Sequence, residues 1–167
     1  DVQITYGFGE TPFGEALIGF TDKGICYLGF IDDNKTEIFN RFNELWENAN
    51  LVHNEIAANE YLENIFVKNK KYNLFVKGTN LQVNVWKALL NLPNGIVATY
   101  QDIANYLDKP KAVRAIASAI GRNHVGYLIP CHRVIAKSGA MSGYRWGIER
   151  KKILIAYESV KENNQNQ

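Results

Sequence analysis

Three side chains that could do chemistry together stand next to each other late in this chain. The stretch reads Ile129-Pro130-Cys131-His132-Arg133-Val134, so a thiol is followed directly by an imidazole and a guanidinium. Cysteine reacts as the thiolate, which a nearby imidazole or positive charge favours, and the proline restricts the backbone in front of it. We therefore expect Cys131 to be a nucleophile. The alternative is a cysteine that is buried as a small apolar side chain.

The remaining cysteine and histidines do not extend this cluster. Cys26 lies inside an apolar run, where we expect it to be buried. The two cysteines are far apart, and His53, His124 and His132 lack the spacing of a zinc site. We therefore predict no metal, no disulfide framework and a reducing, cytoplasmic location.

Composition and charge limit the class of protein. The chain has 167 residues, 46% of them hydrophobic and 12% aromatic, which is enough for a packed core. No apolar run approaches the roughly 20 residues of a membrane helix, and no leader-like stretch precedes the first elements. Because the chain begins at Asp1 and not at methionine, we expect that a segment upstream was removed.

The charge is unevenly distributed. Residues 100–155 hold ten Lys or Arg and three acidic residues, whereas the rest of the chain holds nine and fourteen. A basic half beside an acidic half suggests that one half binds a polyanion. A solvated basic surface would give the same counts.

The pattern predicts an α/β (α+β) fold in two domains, residues 1–77 and residues 78–167. In the first domain, apolar runs at 15–20 and 25–31 flank a short turn ending in Gly24, which is typical of a β-hairpin. A helix capped by Asn34 follows, then a helix over residues 54–67 and a strand over residues 72–76. The composition changes after Lys77.

The second domain is predicted to be mostly helical. Thr79 with Gln82 forms a capping box for one helix, and Thr99 caps a second, short helix. After a turn, Pro110 opens a third helix that ends at Gly121. This spacing is typical of a helix-turn-helix that binds DNA, and an ordinary helical hairpin is the alternative.

The side chains of the third helix favour the minor groove. Reading bases in the major groove requires several polar arms, whereas this helix offers mainly alanine and the single Arg114. Small side chains let a backbone approach the narrower groove, and one long cation can enter the base stack. Such a protein would act on a base and would depend little on sequence context.

Five motifs in order carry a resemblance. They are Tyr100-Gln101-Asp102-Ile103-Ala104, Lys109-Pro110-Lys111-Ala112-Val113-Arg114-Ala115, Arg122-Asn123, the Cys131 stretch, and Ser142-Gly143-Tyr144-Arg145-Trp146-Gly147. Together they resemble the O6-alkylguanine-DNA alkyltransferases, in particular the bacterial adaptive-response forms. The matched motifs cover residues 78–158, about half of the chain.

This resemblance implies a chemistry for five residues. Cys131 would accept the alkyl group directly and irreversibly, so that each molecule reacts once. His132 would act as a base through a water, and Glu158 would orient the imidazole. Asn123 would brace the cysteine loop, and Tyr100 would assist the departing guanine and rotate the target phosphate. From the sequence alone, Glu158 reads as a solvated acid and Tyr100 as a packed aromatic.

The resemblance also implies a substrate pocket and a DNA surface. The pocket residues would be Val134, Met141, Tyr144 and Arg145. The DNA-binding residues would be Tyr100, Ala112, Val113, Arg114, Ala117 and Arg122. The target nucleotide would be flipped out of the duplex, with Arg114 in its place.

Further properties follow from the same resemblance. The N-terminal domain would have a ribonuclease-H-like antiparallel sheet with helices. The protein would need no cofactor and would act on O6-alkylguanine, and also O4-alkylthymine, in double-stranded DNA. It would be a monomer that can load cooperatively on DNA.

Three other classes remain open at this point. A non-catalytic relative would bind alkylated bases without reacting, although such relatives replace the cysteine. A helix-turn-helix regulator would bind one operator and would not need Cys131. A cysteine protease fits less well, because its histidine normally lies far from the thiol in sequence.

Overall fold

The computed structural model describes residues 2–141 and 143–165. The chain divides into two compact units, Asp1–Lys77 and Gly78–Gln167. The first unit is a sheet with two helices and the second is mostly helical, so the predicted α/β class is confirmed. None of the helices in the described part of the chain is both long and apolar enough to cross a membrane.

A four-stranded sheet forms the first unit. Its strands are β1 (Gln3–Thr11), β2 (Gly14–Thr21), β3 (Gly24–Ile31) and β4 (Asn50–His53), in the order β3-β2-β1-β4. The first three form an antiparallel meander, and β4 adds a parallel strand to β1. The predicted hairpin of β2 and β3 is confirmed. Gly24 has φ of 150°, and a Cβ there would overlap the carbonyl oxygen of Asn73.

Two helices complete this unit, α1 (Lys35–Leu45) and α2 (Glu55–Phe66). The side-chain oxygen of Asn54 accepts a hydrogen bond from the Ala57 amide at 3.1 Å and caps α2. The predicted side-chain cap of α1 is wrong, because the Asn34 oxygen accepts from the Asp32 amide instead. The absence of a Cβ on Gly7 lets α2 lie close against β1.

The predicted strand over residues 72–76 does not form. Leu74 makes a single parallel bridge to Ile25. The amide of Ile25 donates to Asn73 and its carbonyl accepts from Phe75, so the pairing involves one residue of β3 only. Cys26, in β3, is buried as predicted, and burial raises its pKa to about 12.

The second unit contains α3 (Asn80–Leu90), α4 (Tyr100–Tyr106), α5 (Val113–Gly121) and α6 (Ile148–Gln165). Two short strands, β5 (Ala98–Thr99) and β6 (Val134–Ile135), pair in parallel, and a 3-10 turn, Cys131–Arg133, lies immediately before β6. Both predicted caps, at Thr79 and Thr99, are confirmed and form capping boxes. The Trp86 indole donates to the Ala119 carbonyl at 2.9 Å and ties α3 to α5.

The link between α4 and α5 differs from the prediction. Asp108 adopts φ of 58°, and the following Lys109 amide donates back to the Ala104 carbonyl. The chain then turns through Pro110, so α5 begins at Val113 and not at the proline. The two helices pack against each other.

Candidate active site

Cys131 begins the 3-10 turn and is almost enclosed. Its side chain is 5% exposed, and its amide donates to the Ile129 carbonyl at 2.8 Å. The Arg133 amide donates to Pro130 and closes the turn. The turn packs against α6, so a polar face of that helix can reach the thiol and its neighbours.

Asn123 holds the loop in front of the thiol. It is 1% exposed, and its side-chain amide lies 3.2 Å from the Cys131 Sγ and 3.0 Å from the Ile129 carbonyl oxygen. Its side-chain oxygen accepts from the Val125 amide at 2.9 Å. A donor directed at the sulfur favours the anion, so Asn123 both shapes the loop and supports a thiolate.

Glu158, on α6, is shared by two side chains of the 3-10 turn. One carboxylate oxygen lies 2.8 Å from His132 Nε2 and 2.9 Å from Arg133 Nε, and the other lies 2.7 Å from Arg133 Nη2. A carboxylate accepts hydrogen bonds, which assigns the ring proton to Nε2 and leaves Nδ1 with a lone pair. Among the described residues, this buried Nδ1 has no partner.

These contacts lower the pKa of Glu158. Burial alone would raise the pKa, but hydrogen bonds from Arg133 and His132, together with their charges, lower it from 4.5 to about 2. Glu158 is therefore ionised at neutral pH and can stabilise a positive charge on His132.

Folding should become less favourable in acid because of Glu158. Its pKa in the folded chain, about 2, lies below the ordinary 4.5, so folding favours the ionised form. This contribution, about 3 kcal/mol, is present above the ordinary pKa and is lost as the pH falls towards the folded one. Urea unfolding at neutral pH and at about pH 3 should show the loss, and Glu158→Gln should reduce it.

Glu149→Gln is the matched control, because Glu149 is an exposed acid on the same helix. It should keep the acid sensitivity of the unchanged protein. If Glu158→Gln lost as much stability in acid as the unchanged protein, another carboxylate would be responsible.

One charged residue near the thiol, Lys151, was missed by the sequence analysis, as were the distant partners of another, Arg133. Arg133 also donates to the Leu92 carbonyl and the Asn94 side chain, at 2.7 and 2.5 Å. Lys151 is 1% exposed and lies seven residues before Glu158 on α6, so both face the same side of the helix. Lys151 and Glu158 lie on either side of the apolar Leu154 along this face of the helix. This spacing could have indicated from the sequence that Lys151 faces the site.

The thiol itself has opposing influences. Burial raises the pKa of Cys131, and the net value is about 11 although the Asn123 hydrogen bond and the charges of Lys151 and Arg145 lower it. A thiol in such a site ionises efficiently only when another group takes its proton. The unpartnered Nδ1 of His132 has the lone pair that this requires.

The predicted pocket residues lie on β6 and on the segment before α6. Val134 is fully buried and Met141 is half-buried, whereas Ser142 lies outside the described residues. Tyr144 is 8% exposed and contacts His132 edge to face, with ring centroids 6.4 Å apart. In the described part of the chain its hydroxyl has no hydrogen-bond partner. Arg145 donates to the Asn123 carbonyl at 2.8 Å.

Tyr100 reaches the same region from the first turn of α4. Burial raises its pKa, and the proximity of a negatively charged Cys131 would raise it further. A Cβ on Gly143 would lie 3.5 Å from its hydroxyl oxygen. The structure therefore brings Tyr100 together with the thiol and with the segment that contains Tyr144.

The predicted DNA-binding side chains other than Tyr100 form a different group. Arg114 and Arg122 are exposed on α5 and at its C-terminal cap, while Ala112, Val113 and Ala117 are half-buried. In the described part of the chain, the side-chain hydrogen bond to Cys131 Sγ comes from Asn123 and not from this group. Within residues 2–141 and 143–165, no group of three or more His, Cys, Asp or Glu is placed to hold a metal ion.

The second unit matches a known protein family, and most of the chain is similar to known proteins. Residues 80–160 match the family described as 6-O-methylguanine DNA methyltransferase, DNA binding domain. An inducible methylated-DNA–protein-cysteine methyltransferase of Bacillus subtilis is 37% identical, covering 84% of this chain and 82% of that protein. A methylated-DNA–protein-cysteine methyltransferase of Methanosarcina barkeri is 35% identical, with coverage of 95% and 98%.

A longer relative and a solved structure extend these comparisons. The bifunctional transcriptional activator and DNA repair enzyme Ada of Escherichia coli is 32% identical over 97% of this chain. The chain spans 47% of Ada, about half of that protein's length. The crystal structure of Mycobacterium tuberculosis OGT in complex with DNA is 28% identical with a TM-score of 0.75, covering 94% of each chain.

Proposed function

The chain belongs to the methylated-DNA–protein-cysteine methyltransferase family, and from this premise we propose that it repairs DNA by transferring an alkyl group from O6-alkylguanine to its own Cys131. The observation that supports this most strongly is the buried set of Cys131, Asn123, His132 and Glu158. A nucleophile, a donor to its sulfur and a carboxylate-oriented imidazole are what such a displacement requires.

The transfer is a displacement at carbon. The Cys131 sulfur forms a bond to the alkyl carbon as the bond from that carbon to guanine O6 breaks, and the electron pair remains on the guanine. The thiol proton passes through a water to His132 Nδ1, and Glu158 stabilises the imidazolium. Tyr100 donates a hydrogen bond to the departing guanine. The product is a thioether, so each molecule reacts once and no cofactor takes part.

Access to the alkylated atom requires that the nucleotide leaves the duplex. We place α5 in the minor groove, where Ala112, Val113 and Ala117 allow a close approach and Arg122 contacts the backbone. Arg114 would fill the vacated stack. A flipped base costs a few kcal/mol of stacking and pairing, less when the pair is already weakened by alkylation.

We base the proposed substrates, oligomeric state and location on the same family relation. Double-stranded DNA with O6-alkylguanine is the proposed partner, with O4-alkylthymine as a second substrate. We propose a monomer that can load cooperatively on DNA, and a cytoplasmic location in keeping with two free cysteines. Val134, Met141, Tyr144 and Arg145 are the proposed pocket for the alkylated base.

A duplex that carries labelled O6-methylguanine tests the proposal. We expect one label per protein molecule, located on Cys131 by mass spectrometry of the digested chain. Binding without label would instead identify a non-catalytic protein that recognises alkylated bases. Binding restricted to one operator sequence would identify a regulator.

Arg114→Ala should slow the reaction with duplex DNA by about tenfold or more. The variant lacks the side chain that would take the place of the extruded nucleotide in the base stack. The reaction with free O6-benzylguanine should hardly change, since a free base needs no extrusion. Single-turnover rates with the two substrates measure this difference.

Lys111→Ala is the matched control for Arg114→Ala. Lys111 is an exposed cation three residues earlier, in the turn before α5. Its loss removes the same charge and should weaken duplex binding only modestly. Equal slowing of both substrates by Arg114→Ala would exclude its role in the stack.

A further inference from the structure

A hydrogen bond from the charged side chain of Arg145 attaches the segment before α6 to the loop that contains Asn123. This segment, residues 143–147, is bounded by Gly143 and Gly147 with φ of 73° and 99°. Within it, Arg145 Nη1 donates to the Asn123 carbonyl at 2.8 Å. Asn123 in turn donates to the Cys131 sulfur, so the guanidinium is connected to the thiol through one residue.

The same segment carries the aromatic side chain that closes the thiol site. Tyr144 precedes Arg145, is buried, and packs against His132. A Cβ on Gly143 would lie in contact with the Tyr100 hydroxyl. Cys131 is almost enclosed, and Tyr144 lies close enough to interact with its charge, so the space beside the sulfur depends on the position of this segment.

We propose that Arg145 is a specificity-determining residue, whose hydrogen bond to Asn123 holds the 143–147 segment over Cys131 and so favours small alkyl groups. This inference rests on the proposed function, because it concerns the substrate range of the same site. Within the proposed pocket, Arg145 affects the substrate range by fixing the positions of Tyr144 and Asn123, so in this respect it is a positioning residue.

Closure of the 143–147 segment over Cys131 competes with the volume of the alkyl group. A methyl group fits while the guanidinium keeps its carbonyl partner. A benzyl group displaces Tyr144, and the linked Arg145 must then give up a charge-assisted hydrogen bond, which is among the stronger kinds in proteins. The charge of Arg145 also lies close enough to favour the ionised sulfur. Its removal should therefore affect small and large substrates differently.

Single-turnover rates on duplexes with O6-methylguanine and O6-benzylguanine test this. In Arg145→Ala we expect the benzyl-to-methyl rate ratio to rise about tenfold, the factor that corresponds to loss of one charged hydrogen bond. Arg145→Lys keeps the charge and one donor, so its ratio should lie closer to that of the unchanged protein. Lys137→Ala removes an exposed cation from the same part of the chain and should leave the ratio unchanged.

A second measurement does not depend on alkyl transfer. Cys131 is labelled with iodoacetamide and with the bulkier N-phenylmaleimide, and the rates are compared by mass spectrometry. We expect Arg145→Ala to accelerate the bulky reagent more than the small one. Equal changes for both reagents would overturn the proposal, as would an unchanged benzyl-to-methyl ratio. A protein that shows the labelling difference but transfers no alkyl group would contradict the proposed function only.

Discussion

Cys131→Ala should abolish alkyl transfer and leave duplex binding intact. The sulfur is the atom to which the alkyl carbon becomes bonded, and no neighbouring side chain supplies an equivalent nucleophile at that position. Apart from Tyr100, the residues that we propose to bind DNA lie on α5 or at its two caps, separate from the 3-10 turn that carries the thiol. Labelled O6-methylguanine duplex should leave no label on this variant, while a gel-shift titration should give an affinity close to that of the unchanged protein.

Cys26→Ala is the control that distinguishes the two thiols. Cys26 is buried in β3 of the other unit, and burial raises its pKa to about 12, so it is a poor nucleophile. This variant should transfer one alkyl group per molecule, as the unchanged protein does. Label that survives Cys131→Ala and disappears with Cys26→Ala would reverse the assignment.

Arg133→Met should destabilise the fold by about 3–5 kcal/mol, the usual cost of removing one partner from a buried ion pair. The Glu158 carboxylate would keep only His132, and the Leu92 carbonyl would lose its donor. Urea unfolding measures the change. The double variant Arg133→Met, Glu158→Met should recover part of the loss, because it no longer buries an uncompensated charge.

Arg41→Met is the corresponding surface control. Arg41 pairs with Glu37 at 2.7 Å on α1, where both side chains are exposed. Such a pair contributes about 0.3–0.5 kcal/mol. If Arg133→Met cost no more than Arg41→Met, the buried contacts of Glu158 would not stabilise the fold.

Short-range signals in the sequence were sufficient for several elements. Thr79 and Thr99 cap their helices as predicted, because a cap depends on residues within one turn. Asn34 shows the limit of this argument. Its side chain could bond forward into α1 or back to Asp32, and the structure has the second arrangement.

Elements that depend on distant partners were not predictable in the same way. β4 has four residues, Asn50–His53, and no alternating apolar pattern, so it is a strand only because β1 offers an edge to pair with. Residues 72–76 have a strand-like pattern but make only one bridge. Pattern alone cannot tell which of two such segments finds a partner.

The resemblance drawn from the motifs is confirmed at the level of the family. The roles of individual residues stay predictions, although the structure places Asn123, His132 and Glu158 around Cys131. Glu158 lies 26 residues after His132, and nothing local distinguishes it from other helix acids. The partners of Arg133 could not be predicted, because Leu92, Asn94 and Glu158 lie on elements far apart in sequence.

The shared carboxylate of Glu158 has a consequence for how such a protein can evolve. The oxygen that orients His132 also accepts from Arg133, and Arg133 joins α6 to the loop that follows α3. The orientation of the imidazole and the stability of the helical unit therefore depend on one set of hydrogen bonds, whose energies are not additive. A substitution that changes reactivity at these residues also changes the stability of the fold. We therefore expect alkyl transfer to evolve through substitutions in the segment around Arg145 instead.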